Sequence, residues 1–145
     1  MRYETVTPIE AVTLCAPFLE ANFKESGLPG FEFELHRETY EAVTFDGASF
    51  AIVAFDDEKP VGVVSVFVAP DPHVSLKLAL NDTIYCPPEY RARGVGGQLF
   101  VRAEREARAR GCTAFLWQVG IGSLLDRALR RHGAPDQISY IRRLA

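Results

Sequence analysis

Two kinds of apolar spacing divide the chain. Ser49–Phe55 (SFAIVAF) and Val61–Val68 (VGVVSVFV) are nearly unbroken hydrophobic runs joined by the polar stretch Asp56–Pro60. That pattern predicts two strands connected as a hairpin, with Pro60 unable to donate to a ladder. Ser75–Cys86 predicts a third, longer strand that partly alternates, with Leu76, Leu78 and Leu80 on one face. Helical spacing appears elsewhere. Ala11, Leu14, Cys15, Phe18 and Ala21 share a helical face, and Thr7-Pro8-Ile9-Glu10 supplies an N-cap, a proline at the first helical position and a capping-box glutamate. Pro17 must kink or interrupt this helix, and Gly27–Gly30 ends it. Leu99, Ala103 and Ala107, with Phe100, form the apolar stripe of a long helix whose wet face offers the pairs Arg102/Glu106, Glu104/Arg108 and Glu106/Arg110. Gly111 stands where a C-cap glycine belongs. Short strands over residues 2–6, Thr113–Val119 (buried) and Ile138–Leu144, a helix over Phe31–Tyr40 and another over Ser123–His132 complete the pattern. The predicted order is β-α-α-β-β-β-α-β-α-β, an α/β (α+β) chain with about six strands.

Composition narrows the picture. At 145 residues and 48% hydrophobic, the chain is expected to form a single domain over 1–145 with a real core. The net charge of −3 argues against nucleic acid as a partner. The charge is uneven: residues 1–60 carry 12 acidic and 4 basic side chains, residues 61–145 carry 7 acidic and 12 basic. That split suits an anionic ligand and a cationic one, and it equally suits a solvated surface. Three cysteines (Cys15, Cys86, Cys112) and three scattered histidines offer no metal spacing. No apolar run reaches the length of a membrane span and no signal segment opens the chain, so the expectation is a cytoplasmic protein with no metal and no membrane partner.

The most informative stretch is Ile84-Tyr-Cys-Pro-Pro-Glu-Tyr-Arg-Ala-Arg-Gly-Val-Gly-Gly-Gln-Leu-Phe100. A strand passes through Pro87-Pro88 into Arg91-x-x-Gly94-x-Gly96-Gly97, and a long helix follows. The first N–H groups of a helix lack intrahelical partners and carry partial positive charge, and glycines let an anion approach them. Arg91 and Arg93 can add forked donors for phosphate. A P-loop is excluded, since no Gly-x-x-x-x-Gly-Lys-Ser/Thr occurs, and the third glycine of a dinucleotide loop is missing. The Arg-x-x-Gly-x-Gly run between strand and helix resembles the acyl-CoA diphosphate loop of the GNAT superfamily of N-acetyltransferases, and the element order is similar to that of the family over essentially the whole chain.

The resemblance implies a mixed, twisted sheet and acetyl-CoA held by Arg91, Ala92, Arg93, Gly94, Val95, Gly96 and Gly97. Main-chain groups of Ile84, Tyr85 and Cys86 would hold the pantetheine arm and polarise the acyl carbonyl, in a wedge where that strand and Thr113–Val119 splay apart. It places a small-molecule or protein amine at Phe31, Glu32, Phe33 and Glu34, a segment that reads equally as an amphipathic helix with a solvated acidic face. Asp82 occupies a position where some members carry a catalytic side chain. It is a candidate base, and a polar bulge at Asn81-Asp82 is the competing reading; His73 and Glu34 are weaker candidates. A regular strand would put Asp82, Ile84 and Cys86 on one side, and a bulge would break that parity. The family's usual tyrosine acid falls at Leu129, which cannot donate a proton, leaving Ser123 as the group that could position a water. Cys86 is expected to be structural rather than an acyl-carrying nucleophile. A homodimer is compatible with the resemblance. A non-catalytic acyl-CoA-binding module and a structural protein on the same fold remain the alternatives.

Overall fold

The computed structural model describes residues 1–144. Its elements are β1 (Arg2–Val6), α1 (Pro8–Ser26), α2 (Arg37–Asp46), β2 (Phe50–Asp56), β3 (Lys59–Asp71), β4 (Leu76–Tyr85), the single turn α3 (Pro88–Arg91), α4 (Val95–Ala109), β5 (Ala114–Leu116) and α5 (Leu124–Leu129). The strands form one mixed sheet in the order β1-β2-β3-β4-β5. Neighbours are antiparallel except β4 and β5, which run parallel.

Local chemistry starts and bends α1 as the sequence predicts. The Glu10 N–H donates to Thr7 Oγ1 (3.3 Å) and the Thr7 N–H to Glu10 Oε2 (2.7 Å), so two otherwise orphaned donors are satisfied reciprocally. Pro17 removes an N–H and crowds the preceding turn, and Cys15 leaves helical geometry (φ −129°, ψ 21°).

The unbroken apolar runs are explained by a sheet covered on both faces. Phe50, Ile52 and Ala54 of β2 pack with Val64 and Val66 of β3 beneath Leu99, Ala103 and Ala107 of α4. Ala51, Val53 and Phe55 turn the other way, with Val63, against Ala11, Val12, Cys15 and Leu19 of α1. Burying one leucine such as Leu99 contributes roughly 1.5–3 kcal/mol, so a stripe of this kind outweighs any helix propensity term. α4 approaches the sheet closely at Gly62, where an added Cβ would lie 3.0 Å from Leu99 Cδ1 and from Val95 Cγ1. This contact seats the start of α4 beside the end of β4.

Several expectations are corrected. The sheet has five strands among the described residues, because Ile138–Leu144 is irregular and exposed. The predicted Thr113–Val119 strand shrinks to Ala114–Leu116, so it exposes too short an edge to template another strand, and its side chains are half-buried or exposed. The last helix covers Leu124–Leu129, shorter than Ser123–His132. Phe31–His36 is irregular, and α2 begins only at Arg37. Of the three ion pairs foreseen on α4, Glu106–Arg110 forms (2.8 Å). Tertiary partners claim two of the other side chains: Glu104 accepts from the Trp117 indole N–H (3.0 Å), and the Arg102 guanidinium lies 4.4 Å over the Tyr3 ring.

Candidate active site

The β4–α4 junction is built from the residues that the motif singles out. Gly94, with φ +76°, takes the left-handed conformation that turns the chain from α3 into α4. The helix ladder begins with the Gln98 N–H donating to the Gly94 C=O (3.1 Å), so the N–H groups of Val95, Gly96 and Gly97 precede it. A Cβ added at Gly96 or Gly97 would meet no atom within 4 Å, so neither glycine is required by close packing at its Cα. N–H groups that precede a helix ladder suit an anionic group, and three of them stand here. Both arginines are held by carboxylates. Arg91 donates through Nη2 to both Glu25 oxygens (2.7 and 2.9 Å) and through Nε to the Cys86 C=O (2.9 Å). Arg93 pairs with Asp56 (3.0 Å), which also accepts from the Tyr90 hydroxyl (3.3 Å). The hydrogen bond from Arg93 holds the Asp56 carboxyl below the usual aspartate range. Ala92 is exposed in the turn between Arg91 and Arg93.

Directly beside this turn, the sheet opens. β4 and β5 pair over three positions, Leu78–Ala114 to Leu80–Leu116. One residue further on, the Asn81 side chain takes over from the ladder: its Oδ1 accepts from the Gln118 N–H (2.7 Å) and its Nδ2 donates to the Gln118 C=O (2.9 Å). Beyond this clasp β4 has β3 on one side only. In a strand, alternate N–H and C=O groups point to opposite neighbours, so half of those between Thr83 and Cys86 face the gap. Ile84, Tyr85 and Cys86 therefore stand where a ligand can pair with β4 as a strand would. Cys86 is buried and its thiol is pushed up by that burial, with Arg91 and the Gly96 N–H pulling the other way.

Asp82 lies on a bulge. Thr83 pairs with Ser65 and Asn81 with Val66, leaving Asp82 without a partner on β3. The bulge breaks the expected parity. Ile84 and Cys86 pack on the α4 face of the sheet, whereas Asp82 reaches Tyr40, which packs on the α1 face. There its Oδ2 accepts from the Tyr40 hydroxyl (2.8 Å) and from Thr83 Oγ1 (3.3 Å). Burial raises the Asp82 carboxyl above its ordinary value, with the hydroxyls of Tyr40 and Thr83 opposing. Asp82 lines a cavity of about 240 Å³ together with Glu32, Phe33, Glu34, Tyr40 and Phe67. A second cavity of about 620 Å³ shares Phe23, Glu32 and Phe33 with it and extends along Phe31, Gly27 and Glu25. The four residues Phe31–Glu34 thus line two adjoining hollows, and Glu34 lies in the same hollow as Asp82.

The remaining candidates lie elsewhere. Ser123 is the N-cap of α5, and its hydroxyl accepts from the Asp126 N–H (3.2 Å). Asp126, buried, accepts from the Gly122 N–H (2.7 Å) and from Arg130 Nε (2.8 Å), and the Gly122 bond leads in lowering its pKa. Leu129 ends the same helix, half-buried. His73 is exposed in the β3–β4 turn, its N–H donating to Asp71 (2.8 Å). Among the described residues no group of three His, Cys, Asp or Glu side chains could hold a metal ion, and no helix is long and apolar enough to cross a membrane. Sequence reasoning overlooked Tyr40, Glu25 and Asp56 as partners of the site, and treated Asn81 only as half of a polar pair. For Asn81 a signal existed, an amide inside a strand otherwise rich in apolar residues. The other three are joined to the site by contacts between distant segments.

A five-stranded mixed sheet that splays between a bulged strand and a short parallel neighbour, with a glycine-rich helix start at the mouth, defines the acyl-CoA acetyltransferase class of folds. The model of the Acetyltransferase (GNAT) family matches residues 16–134, and the chain belongs to that family. Solved structures agree on the fold. A ribosomal-protein-alanine N-acetyltransferase from Brucella melitensis biovar Abortus 2308 superposes with a TM-score of 0.73 at 20% identity, covering 99% of this chain and 100% of that one. The aminoglycoside acetyltransferase meta-AAC0020 from an uncultured soil metagenomic sample, in complex with sisomicin, gives 0.71 at 14% identity, covering 99% and 93%. Aminoglycoside N-acetyltransferase AAC(6')-Iy in complex with CoA gives 0.70 at 13% identity, covering 99% and 100%. A search of curated proteins found no match.

Proposed function

We propose that this chain, acting as one domain, transfers an acetyl group from acetyl-CoA to a primary amine by direct attack in a ternary complex. The observation that carries the reading is the succession along β4 and into α4 of three features: a cavity lined by Asp82, the edge of β4 left unpaired by β5 beyond Asn81, and the N–H groups of Val95–Gly97 that precede the helix ladder. In this reading the diphosphate sits on the Arg91–Gly97 turn, where it displaces Glu25 and Asp56 from the arginines. The pantetheine arm pairs with main-chain groups of Ile84–Cys86, one of which stabilises the charge gathering on the acyl oxygen. Asp82 accepts a proton from the ammonium, directly or through a water, because an ammonium with a pKa near ~10 is not a nucleophile. The N–C bond forms as the C–S bond breaks, and the sulfur leaves as thiolate or takes a proton from water. Phe31, Phe33, Glu32 and Glu34 supply apolar walls and negative charge for a cationic acceptor. Leu129 cannot protonate the leaving group, which favours non-catalytic acyl-CoA binding as the second reading.

Thermal denaturation tests the binding half. A hundred-fold excess of acetyl-CoA over Kd should add about 2.7 kcal/mol of stability and raise the Tm. Gly96→Asp, which puts a carboxylate into the anion site, should abolish the rise. No shift in the wild type at millimolar acetyl-CoA would overturn the reading. Thiol release with a panel of amines then separates an enzyme from a binding module.

A further inference from the structure

The contact that most repays attention joins Tyr40 to Asp82 across 42 positions of sequence. α2 contains no buried residue, yet Tyr40 reaches from it toward the sheet, its ring edge-on to Phe67 with centroids 5.9 Å apart. Packing alone would be served by phenylalanine. The hydroxyl instead ends 2.8 Å from Asp82 Oδ2, on the one β4 residue that the bulge frees from pairing. Resting on the assignment of Asp82 as the base, we propose that Tyr40 is a positioning residue of acetyl transfer, whose hydroxyl holds the Asp82 carboxylate turned into the acceptor cavity and thereby ties the α2 wall of that cavity to the base.

Physical chemistry supports the direction of the effect. A bulged residue has no ladder to fix its side chain, so its rotamer depends on side-chain partners. Asp82 is half-buried in a cavity that Glu32 and Glu34 also line, and desolvation works against its ionised form. His36 also lines the cavity, but its Nδ1 is engaged with Thr39 Oγ1 (2.8 Å) and its Nε2 with Glu38 (3.1 Å). The donors that favour the carboxylate are the hydroxyls of Tyr40 and Thr83. Tyr40 makes the shorter of the two Asp82 bonds with defined distances, and hydrogen bonds to a charged acceptor are about twice as strong as neutral ones. Tyr40 in turn is held in its neutral, donating form, first by burial and then by the negative charge of Asp82. Each group therefore keeps the other in the state the reaction requires.

The test reads Asp82 itself as well as turnover. Carbon-13 spectra of the aspartate side-chain carboxyls, with the Asp82 signal assigned by its loss in Asp82→Asn, give its titration midpoint in free wild type and in Tyr40→Phe. The midpoint should lie above the ordinary aspartate range in the wild type and higher still in Y40F. The acid limb of kcat/KM for an accepted amine should move the same way, with about a tenfold loss below the limb and recovery above it, while the KM for acetyl-CoA holds. Two amines of different basicity separate the limb of the enzyme from that of the substrate. If Y40F does not fold, the ultraviolet titration of Tyr40 serves: Asp82→Asn should let a tyrosine ionise at lower pH than in the wild type. An unchanged Asp82 midpoint in Y40F, or an unchanged tyrosine titration in D82N, overturns the proposal. A displaced midpoint with no turnover on any amine overturns acetyl transfer instead, and with it the catalytic meaning of the pair.

Discussion

Asp82, at the position proposed for the base, opposes stability near neutral pH. Its carboxyl is raised by desolvation, so between the unfolded and folded titration ranges the native state binds more protons than the unfolded one. Stability from this group is therefore present at low pH and lost as pH rises through the folded range. Asp82→Asn should raise the Tm at pH 7, by an amount that shrinks as the pH falls through the ordinary aspartate range. The same substitution should lower kcat/KM most near neutrality, with partial rescue at alkaline pH where free amine is abundant. A lower Tm for D82N at pH 7, or an equal loss of activity at every pH, would make Asp82 a structural residue. Asp82 was legible as a candidate through its position, four residues before Cys86 on the strand that leads into the glycine turn. Which face it takes was not legible, because an extra residue in the pairing register moves the side chain across the sheet.

Among elements, the informative junction is that of α1 with the turn before α4. Glu25, in the last turn of α1, grips Arg91 with both oxygens, and it also lines the larger cavity. Acetyl-CoA binding at the turn would have to release this grip, which places a carboxylate in competition with the phosphates for one guanidinium. Glu25→Gln should tighten acetyl-CoA several-fold in calorimetric titration, since it removes the competing charge and leaves the glycine N–H groups in place. Unchanged affinity would mean that Arg91 does not meet the diphosphate. The elements themselves were largely readable from the chain. The capping box of α1, its proline kink and the apolar stripe of α4 depend on neighbours within a few residues, and each forms as its sequence predicts. The chain beyond β5 did not follow its pattern. A strand needs a partner edge, and β5 is too short to supply one for residues 138–144.

At the scale of the molecule, the two buried faces of the sheet fix where the site can be. α4 packs on one face, α1 and α2 on the other, and the gap between β4 and β5 opens at their common edge. Gly62 is the contact that sets the depth of α4, because any larger side chain would push against Val95 and Leu99 in its first turns. Gly62→Val should cost about 1–3 kcal/mol in urea denaturation through overpacking. It should also weaken acetyl-CoA binding, although the substituted residue lies outside the turn. Normal affinity in a destabilised G62V protein would show that the turn holds its shape independently of how α4 is seated.

What the sequence determined by itself is local: strand and helix types, the caps, the glycine turn between β4 and α4, and a family resemblance that rests on that turn and on element order. These follow from side-chain spacing and backbone preferences over a few residues, which no distant partner need complete. The tertiary structure alone decided that Asp82 meets Tyr40, that Glu25 and Asp56 occupy the arginines, and that Asn81 replaces the ladder where β5 departs. Each of these contacts joins residues between 37 and 66 positions apart, and register, bulges and competition for one charged group become determinate only when the sheet and its helices have packed.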